Sequence, residues 1–361
     1  MSSDFGKNIK VTVFGQSHSD AIGVVVDGLP AGDRIDMEKL QRFMSRRAPG
    51  GSDYVTKRLE ADEPVILSGL LDGVTCGAPL CAVIENKDVR SKDYDKIRDI
   101  PRPSHADYPA YVKYEGFNDI RGGGHFSGRM TAPLCFAGAV CKQILERRGV
   151  FVGAHIAAIG MAEDELFGPV HVSEAELAAV GAKAFPVIND KAAELMIKEI
   201  EAAAGKLDSI GGVVECAVVG LPAGLGEPMF DGIENRLAAA IFGIPAVKGI
   251  EFGAGFAAAK MRGSENNDPY YYKDGKVRTL TNNHGGILGG ITTGMPVILR
   301  AAFKPTPSIG IEQNSVKLSE KVNSTVKIEG RHDPCIVPRA VVAVEAVTAI
   351  VLLDILCSGG K

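Results

Sequence analysis

Apolar residues in this chain fall mostly into short alternating runs, broken by turns rich in glycine and proline. Ile9–Phe14 reads as a strand ending in the loop Gly15-Gln16-Ser17-His18-Ser19-Asp20. Ile22–Val26 reads as a second strand, and further strands are expected at Val65–Ser68, Leu80–Ile84, Val150–Ile159, Gly212–Val219, Ile244–Phe252, Met295–Ala302 and Thr325–Ile328. Helical spacing is sparser. It follows Asp36 through Met37, Leu40, Phe43 and Met44, and it returns at Glu174–Val180 and Lys191–Ala204. The clearest case is Thr131–Arg148, where Leu134, Ala137, Cys141, Ile144 and Leu145 share a face. Thr131 is expected to cap that helix, and Pro133 is tolerated in its first turn. Ala340–Leu353 is apolar almost throughout. It is shorter than the roughly 20 residues a bilayer demands and is interrupted by Glu345, so a buried helix is expected. Gly253 to Gly286 reads as a long loop.

One pattern occurs twice. Ile22–Gly32 and Ile210–Gly224 are each a valine-rich strand closed by Gly-Leu-Pro-Ala-Gly, with a helix expected from Asp36 and from Asp231. This implies an α+β chain of two similar halves, approximately 9–160 and 205–356, or else the recurrence of a common turn. No linker separates the halves, so residues 1–361 are expected to form one domain.

Composition narrows the function. An apolar share of 45%, a charged share of 23% and a net charge of −4 suit a globular protein with no global pull towards nucleic acid or membrane. The start lacks a signal-peptide pattern, and the seven cysteines show neither a C-x-x-C pair nor zinc spacing. Reduced thiols in a cytoplasmic protein without a metal site are expected.

The chemistry gathers on loops. Arg46, Arg47, Arg58, Arg102, Arg121, Arg129, Arg331 and Arg339 sit on loops bounded by glycines or prolines, suited to gripping carboxylate or phosphate. Of seven histidines, five (His18, His105, His125, His284 and His332) also lie on loops. The densest stretch is Arg102–Arg129, where Arg121 leads into Gly122-Gly123-Gly124 just before a helix. Backbone N–H groups there could hold an anion. No Walker loop, G-x-G-x-x-G, H-E-x-x-H or G-x-S-x-G motif is present. These residues point to proton transfer on a polyanionic small molecule, without naming the reaction.

A set of longer motifs goes further. Gly15-Gln-Ser-His18-Ser, Arg46-Arg47-Ala-Pro-Gly50, Arg102-Pro-Ser-His105-Ala-Asp107-Tyr and Arg121-Gly-Gly-Gly124 are followed by Ile244-Pro-Ala-Val-Lys-Gly and Gly285-Gly-Ile-Leu-Gly-Gly290. Lys304-Pro-Thr-Pro-Ser308 and Gly330-Arg-His-Asp-Pro-Cys335 complete the order. In this the chain resembles the chorismate synthases over nearly its whole length. The resemblance implies a β-α-β sandwich with helices packed between sheets, assembled as a homotetramer. It implies a lyase that eliminates phosphate from 5-enolpyruvylshikimate 3-phosphate to give chorismate, with reduced FMN and no net redox change. Self-reduction of the flavin by NADPH and external reduction both stay open.

Carried over by motif, His18 is the expected acid for the departing phosphate, His105 attends the flavin, and Asp333 assists proton removal. Arg47, Arg58, Arg129 and Arg331 are the expected substrate residues. FMN is expected at His125, Phe126, Ser127, Ala246, Gly289, Lys304, Thr306, Ser308 and Arg331. The chain departs from the usual R-G-G-G-R-S-S-A-R-E-T at His125, Phe126 and Met130, and from a common arginine at Asp53. A titratable imidazole at 125 is expected to grip more weakly and with more pH dependence than arginine. The alternatives are a flavin-independent phosphohydrolase and a ligand-binding relative that has lost turnover.

Overall fold

The computed structural model describes residues 3–48, 62–87, 98–328 and 333–358. The first half supplies β1 (Asp4–Phe5), β2 (Lys10–Gly15), β3 (Ala21–Asp27), helix α1 (Met37–Ser45), β4 (Val65–Ser68), the small ribbon β5 (Leu70–Leu71) with β6 (Val74–Thr75), and β7 (Leu80–Glu85). Helices α2 (Asp107–Lys113) and α3 (Thr131–Arg147) follow. The second half runs through β8 (Phe151–Ile159), β9 (Ala162–Glu163), α4 (Glu174–Gly181), α5 (Asp190–Gly205), β10 (Gly212–Val219), α6 (Ile233–Ile241) and β11 (Val247–Phe252). A single turn, α7 (Gly263–Asn266), precedes the hairpins β12 (Tyr270–Lys273)–β13 (Lys276–Thr279) and β14 (Ile287–Leu288)–β15 (Ile291–Thr292). Then come β16 (Val297–Phe303), the pair β17 (Gln313–Lys317)–β18 (Val322–Val326), and α8 (Val337–Ser358).

Two five-stranded antiparallel sheets result, ordered β1-β2-β3-β7-β4 and β11-β16-β10-β8-β9. The two Gly-Leu-Pro-Ala-Gly strands, β3 and β10, each take the middle position of their sheet. Period-two patterning sets their faces. Ile22, Val24 and Val26 of β3, and Val214, Cys216 and Val218 of β10, all enter one continuous core. Helix α3 packs on β3 and β7, α8 packs on β8 and β10, and the two helices pack on each other between the sheets. The contact is close because Gly138 has no side chain: a Cβ there would lie 2.3 Å from that of Ala346. On the outer face of the second sheet, α4 buries Leu177 and Val180 against Ala217 and Ile298.

Charges tie the helices at fixed points. Glu345 of α8 is buried and accepts from Arg46 Nη2 at 2.9 Å and from Lys142. Burial pushes its carboxyl up, but the Arg46 and Lys142 cations outweigh that and hold it below its ordinary value. Buried Asp354 accepts the backbone N–H groups of Lys7, Asn8 and Ile9 at 2.9, 2.6 and 2.8 Å, and it also pairs with Arg236.

Several expectations change. With 22 residues, α8 is longer than expected and apolar enough to span a bilayer by length and composition, yet nearly all of it is buried against the sheets and α3. The stretch 253–286 is not one loop. It folds into 3-10 turn, helix and hairpin, the last closed by Asp274-Gly275 with both residues at positive φ. Ile244–Pro245–Ala246 lies before β11 rather than in it, because Ala246 takes a left-handed φ of 74°. Thr131 is the first residue of α3, not its cap; its hydroxyl donates to Gly128 O at 2.7 Å.

Candidate functional site

A cleft of about 610 Å³ opens where the starts of α3 and α8, the glycine run and the segments around 242–248 and 303–308 meet. The triple glycine meets it through Gly122, which lines its wall. Gly122, Gly123 and Gly124 have φ of 58°, 87° and 55°, a left-handed path that a side chain would strain. Space forbids a side chain as well. A Cβ on Gly122 would come within 2.2 Å of His18 Cε1, and one on Gly123 within 3.1 Å of His105 Nε2. The triple glycine is therefore the strip on which the two histidines rest. It does not feed α3 directly: Ser127 caps a short 3-10 turn, accepting from Arg129 N at 3.3 Å, and α3 starts after that turn.

His105 is oriented from behind. Its Nδ1 lies 2.6 Å from Asp107 Oδ1, and a carboxylate can only accept, so the proton sits on Nδ1 and Nε2 is the second ring nitrogen offered to the cleft wall. Asp107 is fixed in turn by Arg102, whose backbone N, Nε and Nη2 donate to it at 3.0, 2.7 and 2.8 Å. Burial opposes the Asp107 charge, but the bonds from Arg102 and His105 prevail and hold its carboxyl far below the usual range. Arg102 Nη1 also donates to Ser308 Oγ at 3.2 Å, which joins this group to the 304–308 segment. His18 is buried against Gly122, with its Nδ1 3.1 Å from Ser17 Oγ; the Ser17 hydroxyl donates to Arg121 O at 3.0 Å.

Most of the expected residues meet here. Arg47, His105, His125, Phe126, Ser127, Arg129, Ala246, Lys304, Thr306, Ser308 and Asp333 all line the cleft. His18 stands just behind the Gly122 wall. Gly289 does not join them: it sits exposed at the tip of the β14–β15 hairpin, away from the cleft of this chain. Arg58 and Arg331, with Asp53, Lys57 and His332, lie outside the described residues. His284 turns to Asp268, at 2.8 Å, in a separate loop.

His125 departs from the expected anion grip. Its Nδ1 donates to Gly15 O at 2.8 Å, at the end of β2 before His18, and its Nε2 accepts from Ser3 Oγ at 2.9 Å, just ahead of β1, so both nitrogens are engaged within the fold. Arg46, adjacent to Arg47, points instead to Glu345 in the core. Lys304 donates to Ser104 O, and burial together with nearby Lys248 pulls its ammonium below its ordinary value. Asp333 accepts from Arg339 Nη1 at 2.6 Å, and Arg339 Nε donates to Arg47 O at 2.9 Å. Two residues were not anticipated. Asp62 is buried between Arg47 and Arg129, and Asn86 accepts from Arg129 Nε at 3.1 Å.

Two imidazoles resting on one glycine strip, walled by fixed cations, define an enzyme site for a small polyanion. Comparison with known proteins gives the family. The chorismate synthase family model matches residues 9–357. A chorismate synthase of Thermococcus kodakarensis is 50% identical over 97% of this chain and 96% of its own length. One from Dehalococcoides mccartyi is 47% identical over 100% and 98%. A crystal structure of chorismate synthase superposes with a TM-score of 0.77 at 28% identity, covering 99% of this chain and 94% of that one. The chain belongs to the chorismate synthase family and is accordingly a lyase of aromatic amino acid biosynthesis.

Proposed function

We propose that the cleft eliminates phosphate from 5-enolpyruvylshikimate 3-phosphate, giving chorismate, with reduced FMN bound beside the substrate. The observation that carries this reading is the pair His18 and His105 on adjacent glycines, one of them tautomerically fixed, at a cleft lined by Arg47, Arg129 and Lys304.

The residues fit the flavin. Thr306 Oγ1 is buried at the cleft with no hydrogen-bond partner among the described residues, so a bound polar group there would satisfy it. Lys304 beside it suits a phosphate, and Ser127, Phe126, Ala246 and Ser308 shape the rest of the cradle. His125 contributes by holding the Gly15 end in place, and Arg331 joins the set by its motif. Gly289 could enter this cradle only from another copy of the chain, since it lies apart from this cleft. Reduced FMN supplies an electron-rich partner that eases expulsion of phosphate without net redox change. The protein handles the protons. His18 would donate to the departing phosphate, His105 would hold or release a proton at Nε2, and Asp333, aimed by Arg339, would assist removal of the ring proton. Arg47, Arg129, Arg58 and Arg331 would orient the substrate carboxylates and phosphate.

The rest of the reading has its own supports. Unpaired cysteines, four of them buried, favour a cytoplasmic protein. Exposed Phe230, Phe256 and Tyr272 favour further association into the homotetramer, which light scattering would measure. The matching middle strands β3 and β10 favour a duplicated ancestor for the two halves. For function the test is an anaerobic reaction with synthetic substrate and photoreduced FMN, following chorismate absorbance and phosphate together. Equal amounts of both, only with reduced flavin, are expected. Phosphate alone would overturn the reading in favour of hydrolysis, and neither product would indicate a binding relative.

A further inference from the structure

Arg47 and Arg129 reach the cleft from different elements, and both are nearly inaccessible to solvent. What holds them there is one carboxylate. Arg47 Nε donates to Asp62 Oδ2 at 2.8 Å, with Nη2 on the same oxygen, while Arg129 Nη1 takes Oδ1. Burial opposes the Asp62 charge, yet the two arginines hold its carboxyl below its ordinary value. Asp62 lies three residues before β4, with a left-handed φ of 49°.

We propose that Asp62 is a positioning residue for substrate binding, fixing the two guanidinium groups as a preformed anion receptor. This rests on the reading of Arg47 and Arg129 as substrate residues. Donor arithmetic supports it. Asp62 uses the Nε edge of Arg47, and Thr131 Oγ1 takes one N–H of Nη1 at 3.3 Å. Among the described residues one N–H on each Nη atom of Arg47 is left for a carboxylate or phosphate. A guanidinium not held at its Nε edge would rotate and would have to be ordered again on each binding event. The same carboxylate also separates the cationic pair, which could not be buried side by side unpaired. Through Arg129 it reaches Asn86, whose amide donates to Gln16 O at 3.0 Å and Ser19 O at 2.7 Å, so the receptor is registered to the loop that carries His18.

The experiment is steady-state kinetics with saturating reduced FMN on Asp62→Glu, Asp62→Asn and Arg47→Lys, with a thermal melt of each. Asp62→Glu keeps the charge but moves it by a methylene, so the fold should survive. The substrate KM is expected to rise about tenfold, as for a lost charged hydrogen bond, with kcat changed far less. Asp62→Asn should raise KM further and melt lower. Should it fail to fold, Asp62→Glu decides alone. Wild-type KM in Asp62→Glu while Arg47→Lys raises KM would overturn the Asp62 role and leave the substrate reading standing. Unchanged KM in Arg47→Lys would overturn both.

Discussion

Gly122→Ala is a single-methyl probe of the site. The new Cβ would sit 2.2 Å from His18 Cε1, 2.3 Å from Nδ1 and 2.6 Å from Ser17 Oγ. Restoring an ordinary contact of 3.4 Å would push the ring back by about 1.2 Å. A misplacement of about 1 Å at a reacting group can cost roughly 10²-fold in rate. The backbone adds a separate cost: at φ 58° a side-chain-bearing residue loses about 1–2 kcal/mol relative to glycine. Gly149→Ala separates these effects. Its φ of 76° carries the same backbone cost, but nothing lies within 4 Å of the added methyl. Kinetics under anaerobic conditions and urea unfolding of both variants complete the assay. Gly122→Ala should lose about two orders of magnitude in kcat, while Gly149→Ala loses stability only. Equal kcat in the two variants would refute the idea that the glycine strip sets the position of His18.

Other predictions follow from the buried charges. Asp107→Asn can donate to His105 Nδ1 and so move the proton to Nε2; kcat should fall by about 10²-fold or more at constant flavin affinity, measured by flavin titration alongside turnover. Glu345→Gln strands Arg46 and Lys142 and should cost about 3 kcal/mol in urea unfolding at neutral pH. Because the folded carboxyl of Glu345 lies below its ordinary 4.5, its contribution is present above that value and lost as pH falls through the folded one, so the variant should show a shallower acid limb. His155 has the opposite sign. Burial disfavours its charge, but Asp164 and Glu215, at 3.2 and 2.9 Å, overcome this and raise it above 6.5. Its stabilisation is therefore complete below 6.5 and lost as pH climbs through the raised value, and thermal melts of His155→Gln should lack that alkaline decline.

The residues that sequence reasoning reached were those whose signal is local. Alternating valines located β3 and β10, and the periodic face of residues 134–145 located α3. The motifs around His105 and Lys304 led to one cleft. Asp62 was missed because its meaning depends on Arg47 and Arg129, which are near it only after folding. Asn86 was hidden for the same reason. Strand β17 escaped because Gln313–Lys317 is polar and largely unburied, with no apolar alternation to read, whereas its partner β18 overlaps the strand expected at Thr325–Ile328. The hairpin at 270–279 did carry a signal, Asp274-Gly275 after three tyrosines, and the glycine-rich surroundings obscured it. His125 shows the converse. Its identity was read as chemistry towards a ligand, whereas its bonds to Gly15 and Ser3 run inward.

Helix α8 comes after every strand of both sheets in chain order, yet it fills the layer between them. During synthesis α3 can cover the first sheet, but the inner face of the second sheet and the side of α3 that meets α8 must wait uncovered until the last helix leaves the ribosome. Asp354 then secures the amides of residues 7–9, so the opening strands are locked by a residue made more than three hundred positions later. Such late closure is slow and exposes sticky surface in the interim. Dependence on a holding chaperone during production, and aggregation of chains released before α8, are the cellular signature this architecture predicts.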